Sequence, residues 1–217
     1  GIKCLYQGQV DVFKPFKPKV QEVNFADYVN CDHFENMGDT NEILFAGFPF
    51  HIKGVDILIE AFKKVAGQHS DWKLKILGHY PDMDELNKHM DNHPQIFHHL
   101  PVDISMMPNH IGHCGIFVLP SRTEGMGRVL VEAMAAGKPR IGSNVGGIPT
   151  VIQNNVDGLL FESGDSNELA QQMSRLMSDA KLRRDIGKNA RIRYESDFTS
   201  ERYFDQLKTF YTNVLNQ

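Results

Sequence analysis

From residue 42 onward the sequence alternates short runs of β-type residues with amphipathic helical stretches, strand first in each pair. That order leaves few folds open. Strands separated by helices pair in parallel, because each connection must cross back over the sheet, and the pattern predicts a doubly wound α/β sheet with helices on both faces. The expected strands are 42–46, 72–77, 95–100, 115–119, 140–143 and 158–161, and helices are expected at about 55–66, from about 82, at 103–113 and at 127–136. In the first helix Ile57, Leu58, Ala61, Phe62 and Val65 recur at helical spacing. The run Gly115-Ile116-Phe117-Val118-Leu119 is nearly all apolar, as a strand covered on both faces should be, and is the best candidate for the sheet centre. Gly137-Lys138-Pro139 ends the helix before it, and helical spacing at 166–178, 180–193 and 199–214 makes a helical carboxyl-terminal tail. Residues 1–41 break the pattern: Lys14-Pro15-Phe16-Lys17-Pro18 cannot lie inside a regular element, and 36–41 reads as loop.

A chain of 217 residues can bury one good-sized core, so a single compact unit is expected. Its 41% hydrophobic and 23% charged residues are ordinary for a soluble protein, and no apolar run approaches the ~20 residues of a membrane span. A net charge of −4 argues against nucleic acid as a partner. The three cysteines, Cys4, Cys31 and Cys114, are far apart and odd in number, which suits a reducing cytoplasm and gives neither a disulfide framework nor a metal clip. The start Gly-Ile-Lys lacks an initiator Met, so the sequence reads as an excerpt or a processed product.

Three loops at strand ends carry the candidate chemistry. The longest is Pro120-Ser121-Arg122-Thr123-Glu124-Gly125-Met126-Gly127, which leads into the helix Arg128-Val129-Leu130-Val131-Glu132. Free amides at a helix start and the helix dipole suit a phosphate, and Gly125 and Gly127 allow close backbone approach. Glu132 is an anomaly on a helix that is apolar on nearly every side, and it needs donors from a structural Arg or from ligand hydroxyls. Glu124 in the loop and Glu132, placed roughly two turns into the helix, can face one cleft. The second loop, Gly47-Phe48-Pro49-Phe50-His51-Ile52-Lys53-Gly54, offers Lys53 as a point charge for a phosphate but lacks Walker spacing. The third is Asn144-Val145-Gly146-Gly147-Ile148-Pro149. Taken singly, a Lys at a helix start is usually solvated and a Gly pair just as often marks a plain turn. Three such loops at successive strand ends point to a ligand, since open α/β sheets bind at that end.

The series Gly-x6-Lys-Gly, Pro-Ser-x-x-Glu-Gly-x-Gly-x5-Glu-Ala-Met-Ala-x-Gly-x-Pro, then Gly-Gly resembles the carboxyl-terminal, donor-binding domain of retaining glycosyltransferases of family four, the group 1 glycosyltransferases. The likeness covers about residues 42–195, and Val10 to Pro15 is similar to the family's entry segment. It implies one Rossmann-like half of a GT-B fold, with 1–41 as linker and 196–217 as a helix packing back on the domain or on a missing amino-terminal domain. By the same resemblance Glu124 contacts donor-sugar hydroxyls, Glu132 the ribose hydroxyls, and Lys53 the diphosphate. Gly47 and the backbone of Gly125, Met126, Gly127 and Arg128 hold phosphate and sugar, and the stretch from Leu100 to Val102 borders the base. Lys53 and Glu124 are thus the catalytic candidates. No metal or cofactor is implied. The partners implied are a nucleoside diphosphate sugar as donor and an acceptor sugar or glycoconjugate on the missing domain. The implied location is cytoplasmic, or peripheral at a membrane through that domain.

Two departures stand out: Phe48 occupies the place of a family Arg that pairs with the Lys on the diphosphate, and Thr150 replaces an acidic residue after Gly-Gly-x-Pro. Losing a charge aimed at a leaving group removes on the order of 2–4 kcal/mol of transition-state stabilisation, with Arg128 as a substitute cation. The alternative function is therefore a non-catalytic nucleotide-sugar-binding or partner subunit. A dinucleotide oxidoreductase would need Gly-x-Gly-x-x-Gly after the first strand, where Gly47-Phe48-Pro49 stands. Asp82-Met83-Asp84 matches a metal-binding Asp-x-Asp but reads as a helix cap, and His98-His99 with His110, His113 and Cys114 lacks further metal-ligand spacing. Arg183-Arg184 and Lys188 to Arg193 read as a solvated basic helix face.

Overall fold

The computed structural model describes residues 4, 6–13, 15 and 29–215. Six strands form one sheet: β1 (Glu42–Ala46), β2 (Lys73–Leu77), β3 (Ile96–His99), β4 (Ile116–Leu119), β5 (Arg140–Ser143) and β6 (Leu159–Phe161). Every pairing is parallel and the order is β3-β2-β1-β4-β5-β6. The helices are α1 (Gln7–Phe13), α2 (Val55–Ala66), α3 (Met83–Met90), α4 (Met107–His113), α5 (Arg128–Ala135), α6 (Ile148–Val151), α7 (Ser166–Ser178), α8 (Ala180–Arg193) and α9 (Ser200–Leu215). The doubly wound α/β fold expected from the alternation is the fold observed. The apolar run at 116–119 is buried along its whole length, and β4 lies in the middle of the sheet.

Local chemistry explains most element ends. Asp82 caps α3 by accepting from Glu85 N, Asp165 caps α7 through Asn167 N and Glu168 N, and Asp179 caps α8 through Leu182 N. α2 buries Val55, Ile57, Leu58, Ala61, Phe62 and Val65 in the core and leaves Lys63 and Lys64 in its last turn, where cations suit the helix dipole.

The helix expected at 103–113 is broken. Asp103 accepts from both the amide and the hydroxyl of Ser105, which sets a 3-10 turn at Ile104–Met106. Pro108 then sits in the first turn of α4, where a missing amide is harmless, so the chain restarts a helix there instead of continuing one. Trp72, expected in the second strand, precedes β2; its amide closes a turn on His69 O and its ring is buried. The Gly-Gly loop runs into the short helix α6, with Pro149 in its first turn. A π-helical turn at Tyr194–Phe198 joins α8 to α9; in α9 Phe210 is buried while Phe204 and Tyr211 stay exposed.

Ahead of β1, the loop expected at 36–41 is present, but it is tied down: the buried Lys138 ammonium donates to Asn36 Oδ1, Gly38 O and Asp39 Oδ1. Val29, Cys31 and Phe34 join the core, and α1 falls within the segment read as linker. Of the Lys14–Pro18 stretch, all but Pro15 lies outside the described residues. No helix among the described residues is long and apolar enough to cross a membrane.

Candidate functional site

β1 and β4 are neighbours, yet the chain leaves β1 toward β2 on one side and β4 toward β5 on the other. This reversal opens a crevice at the carboxyl ends of the strands, the place where such sheets take ligands. Three loops enter it, 47–54 after β1, 120–127 after β4 and 144–147 after β5, and they interlock.

Gly54 has φ +68°, and a Cβ there would lie 2.0 Å from Pro120 O. Gly146 has φ +53°, and its Cβ would lie 1.8 Å from Glu124 O. No other residue lets the backbones come this close, so the middle loop is clamped from both sides. Hydrogen bonds fix the clamp: Arg122 N donates to Ile52 O, and Ser143 Oγ donates to Ser121 O at 2.6 Å. The Arg122 guanidinium also grips both oxygens of Asp56 in the first turn of α2, at 2.7 and 2.6 Å. Burial pushes the Asp56 carboxyl up, but this bidentate partner outweighs it and holds the group below its ordinary value.

Within that frame Lys53 Nζ donates to Glu124 Oε2 at 2.6 Å. The side chains are 21% and 13% exposed, so the pair sits in the wall of the crevice with a face to solvent. Ser121 Oγ donates to the same carboxylate oxygen at 3.3 Å, and Gly125 N to the other at 3.1 Å. A Cβ on Gly125 would meet nothing within 4 Å, so no protein neighbour demands a glycine there.

α5 begins at once after Gly127, whose φ of +77° turns the chain into the helix, and among the described residues no side chain caps its amides. Arg128 is exposed at its first position and Glu132 is half-buried four residues on, about one turn in and not the two expected. Burial raises the Glu132 carboxyl above its ordinary value, and nearby Arg128 partly offsets this. Among the described residues no side chain or amide hydrogen-bonds to that carboxylate. Cys31 lies close enough for the Glu132 charge to help burial push its thiol up to about 12, and it contacts Tyr194. Neither neighbour was foreseen, since one precedes the sheet and the other follows α8.

Gly47 lies against Lys53, where a Cβ would lie 3.5 Å from Lys53 Cγ, and Leu100 stands to one side. Gly47 N extends the strand ladder to Leu77 O, and its carbonyl accepts from Tyr80 Oη at 3.0 Å. Beside it Phe50 packs edge-on against Tyr80, while Phe48 is 52% exposed. Leu100, 66% exposed, follows β3, two strand spacings or about 10 Å from β1. Met126 is buried under the middle loop. Lys53, Glu124 and the start of α5 therefore group together with Gly47 against Lys53, while Glu132 lies one turn into α5 on the side of Cys31, and Leu100 stands on the flank toward the β3 edge. Tyr80, whose hydroxyl bonds to Gly47 O, was not among the expected site residues.

The other chemical signals have structural partners. Asp82 is the α3 cap already described, His98 bonds to Gly78 O, and His113 Nδ1 to Asn109 O. Among the described residues no three His, Cys, Asp or Glu side chains gather as a metal site would require.

Residues 32–193 match the family described as Glycosyl transferases group 1. The chain belongs to that family. It is 34% identical over 169 residues to the N-acetyl-alpha-D-glucosaminyl L-malate synthase of Bacillus anthracis, covering 76% of this chain and 43% of that protein. It is 29% identical over 171 residues to the capsular polysaccharide biosynthesis glycosyltransferase CapM of Staphylococcus aureus, covering 76% of this chain and 44% of that one. The chain thus spans less than half the length of these relatives. A solved structure of S. aureus TarM in complex with UDP superposes with a TM-score of 0.82 at 20% identity, over 100% of this chain and 44% of that one. At that identity the likeness shows the fold: this group 1 chain has the architecture of one Rossmann-like half of a GT-B glycosyltransferase.

Proposed function

We propose that this chain is the donor-binding half of a retaining glycosyltransferase that takes a nucleoside diphosphate sugar. The observation that carries the reading is the clamped crevice in which Lys53 and Glu124 meet 2.6 Å apart in front of the uncapped start of α5. The diphosphate lies against Lys53 Nζ and the amides from Gly125 to Arg128, where Gly125 leaves the backbone open. Glu124, drawn off Lys53 by the incoming phosphates, accepts from sugar hydroxyls. Among the described residues the Glu132 carboxylate accepts no hydrogen bond and has only the Arg128 charge nearby, and ribose hydroxyls supply the missing donors. The base lies on the flank toward Leu100, and Gly47 borders the phosphates.

In the reaction the bond from the anomeric carbon to the diphosphate oxygen breaks, and a bond from that carbon to the acceptor oxygen forms on the same face. The acceptor proton leaves with the diphosphate. Lys53 and the α5 amides stabilise the departing charge in place of a metal ion. The acceptor, a sugar or glycoconjugate, binds to a partner domain, as suits a chain spanning under half of its relatives. One relative is named for capsular polysaccharide biosynthesis, which favours acceptors of that class and work at or near a membrane surface.

A second reading, nucleotide-sugar binding without turnover, is favoured by exposed Phe48 at the position where a second cation is expected. Calorimetric titration with a panel of nucleoside diphosphates and their sugars, starting from UDP, tests the donor site, and Glu132→Ala tests the ribose assignment. Binding by none of them refutes both readings. Binding with no hydrolysis or transfer, even with the amino-terminal half supplied, leaves the second.

A further inference from the structure

The basic residues of α8, expected to be a solvated helix face, line a cavity of about 430 Å³. It lies between α8, the carboxyl end of α5 and residues 35–39 ahead of β1. These place it at the amino ends of β1 and β5, whereas Lys53 and Glu124 stand at the carboxyl ends. Strands of four or five residues separate the two sites by about 15 Å along the sheet.

The protein's own contacts hold the cavity walls. A Cβ on Gly187 would lie 2.3 Å from Gly137 O, so α8 packs directly on the turn that ends α5. Arg191 donates to Phe34 O and Ala135 O and pairs with Glu195. Asp39 is neutralised from behind by buried Lys138 at 3.1 Å.

The remaining charges do not cancel. With Asp39 paired to Lys138 and Arg191 to Glu195, the lining keeps Arg183, Arg184 and Lys188 against Glu35, a surplus of two positive charges that Asp39 moderates at Arg183. Arg184 and Lys188 are both exposed, four residues apart, and have no ion pair among the described residues. Like charges at that spacing repel across one helix turn, and Asp185, already bonded to Lys181 at 2.6 Å, offsets this only in part. Arg183 donates through Nη1 to the carbonyls of Leu176 and Met177 and lies over the Trp72 ring, and its enclosed Nε has no hydrogen-bond partner among the described residues.

We propose that this cavity binds a phosphomonoester, with Arg184 and Lys188 as its principal cations and Arg183 beside them. A phosphate dianion matches the charge surplus, and the volume exceeds the roughly 300 Å³ at which small-molecule pockets begin. Glu35 and Asn36 on the facing wall suit hydroxyl groups, so the ligand carries a hydroxylated body. Both a soluble polyol phosphate and a lipid phosphate headgroup have that chemistry.

The test is an amide NMR titration of the whole chain with glycerol 3-phosphate, on a Lys53→Ala background that disables the donor site, beside sedimentation with phosphatidylcholine vesicles with and without phosphatidic acid. Saturable shifts at Gly137, Gly187 and Arg191 are expected, or vesicle binding that needs phosphatidic acid. Arg184→Gln with Lys188→Gln should weaken whichever binding is seen at least ~10-fold while melting within about 2 °C of the parent, since both residues are exposed. Glu35→Gln should tighten it about twofold by removing the opposing carboxylate. Binding in the soluble arm alone identifies a free ligand, and in the vesicle arm alone a membrane surface; each supports the proposal. Shifts confined to the loops around Glu124, indifference to the double substitution, or no binding in either arm overturns it.

Discussion

Replacing Glu124 by Gln should move the affinities for a nucleoside diphosphate and for its sugar in opposite directions. In the ligand-free protein the Glu124 carboxylate holds Lys53 Nζ at 2.6 Å, so a diphosphate must win the ammonium from a partner already in place. Gln keeps the shape and can still accept from Gly125 N, but it frees the cation and removes a negative charge from the phosphate's surroundings. For charges about 6 Å apart in a partly solvated crevice this is worth about 1 kcal/mol, near fivefold in Kd. The sugar loses charge-assisted hydrogen bonds worth about 1.5–3 kcal/mol. UDP should therefore bind about fivefold tighter to Glu124→Gln, while the preference for UDP-sugar over UDP falls ~10- to 100-fold. Folding should lose about 1 kcal/mol, because the pair is largely covered yet keeps a face to solvent and Gln retains the bond from Gly125 N. Calorimetry of both ligands against both proteins measures the four constants. Equal weakening of both ligands, or no change in either, would refute the reasoning, since a carboxylate that merely braces the loop cannot separate them.

Two glycines of the site should behave oppositely: Gly146→Ala, with φ +53° and its Cβ 1.8 Å from Glu124 O, should destabilise the fold by more than ~2 kcal/mol in urea denaturation. Gly125→Ala, open on its Cβ side, should melt as the parent does and lose nucleotide affinity. Arg140, fully buried and bonded to Asp157 and to the carbonyls of Leu130 and Val151, anchors α5 and α6 from below; Arg140→Met should remove about 3–5 kcal/mol, also read in urea. The Glu132 carboxyl is raised by burial, so its folded form holds a proton more tightly than the unfolded chain. Its favourable contribution is complete below the unfolded value of 4.5 and is lost as pH rises through the raised value. Glu132→Gln should accordingly be more stable than the parent at pH 7 and no different below pH 4.5, a comparison that thermal melts across pH decide. A parent as stable as the variant at pH 7 would mean that the carboxylate has found a donor within the protein.

Much of the fold was legible because its signals are local. The six strands lie within a residue or two of the places that alternation and apolar runs indicated. Element ends misread from the sequence trace to side-chain hydrogen bonds, such as Asp103 on Ser105, or to Pro108 in a first turn, which periodicity does not encode. The candidate site was legible as three loops. That Lys53 reaches Glu124 was not, since 71 residues separate them and only the adjacency of β1 and β4 brings them together. Cys31 and Tyr194 beside Glu132, and the cavity behind α8, are likewise products of packing between distant segments.

By itself, then, the sequence determined the α/β class, the parallel sheet and the three loops, because helix and strand periodicity and glycine's backbone freedom act over a few residues. Strand order, the clamp between loops and the pairing of charges across the crevice were decided by tertiary structure alone. Those depend on which faces can be buried together and on contacts tighter than any side chain allows, conditions that many distant residues satisfy jointly or not at all.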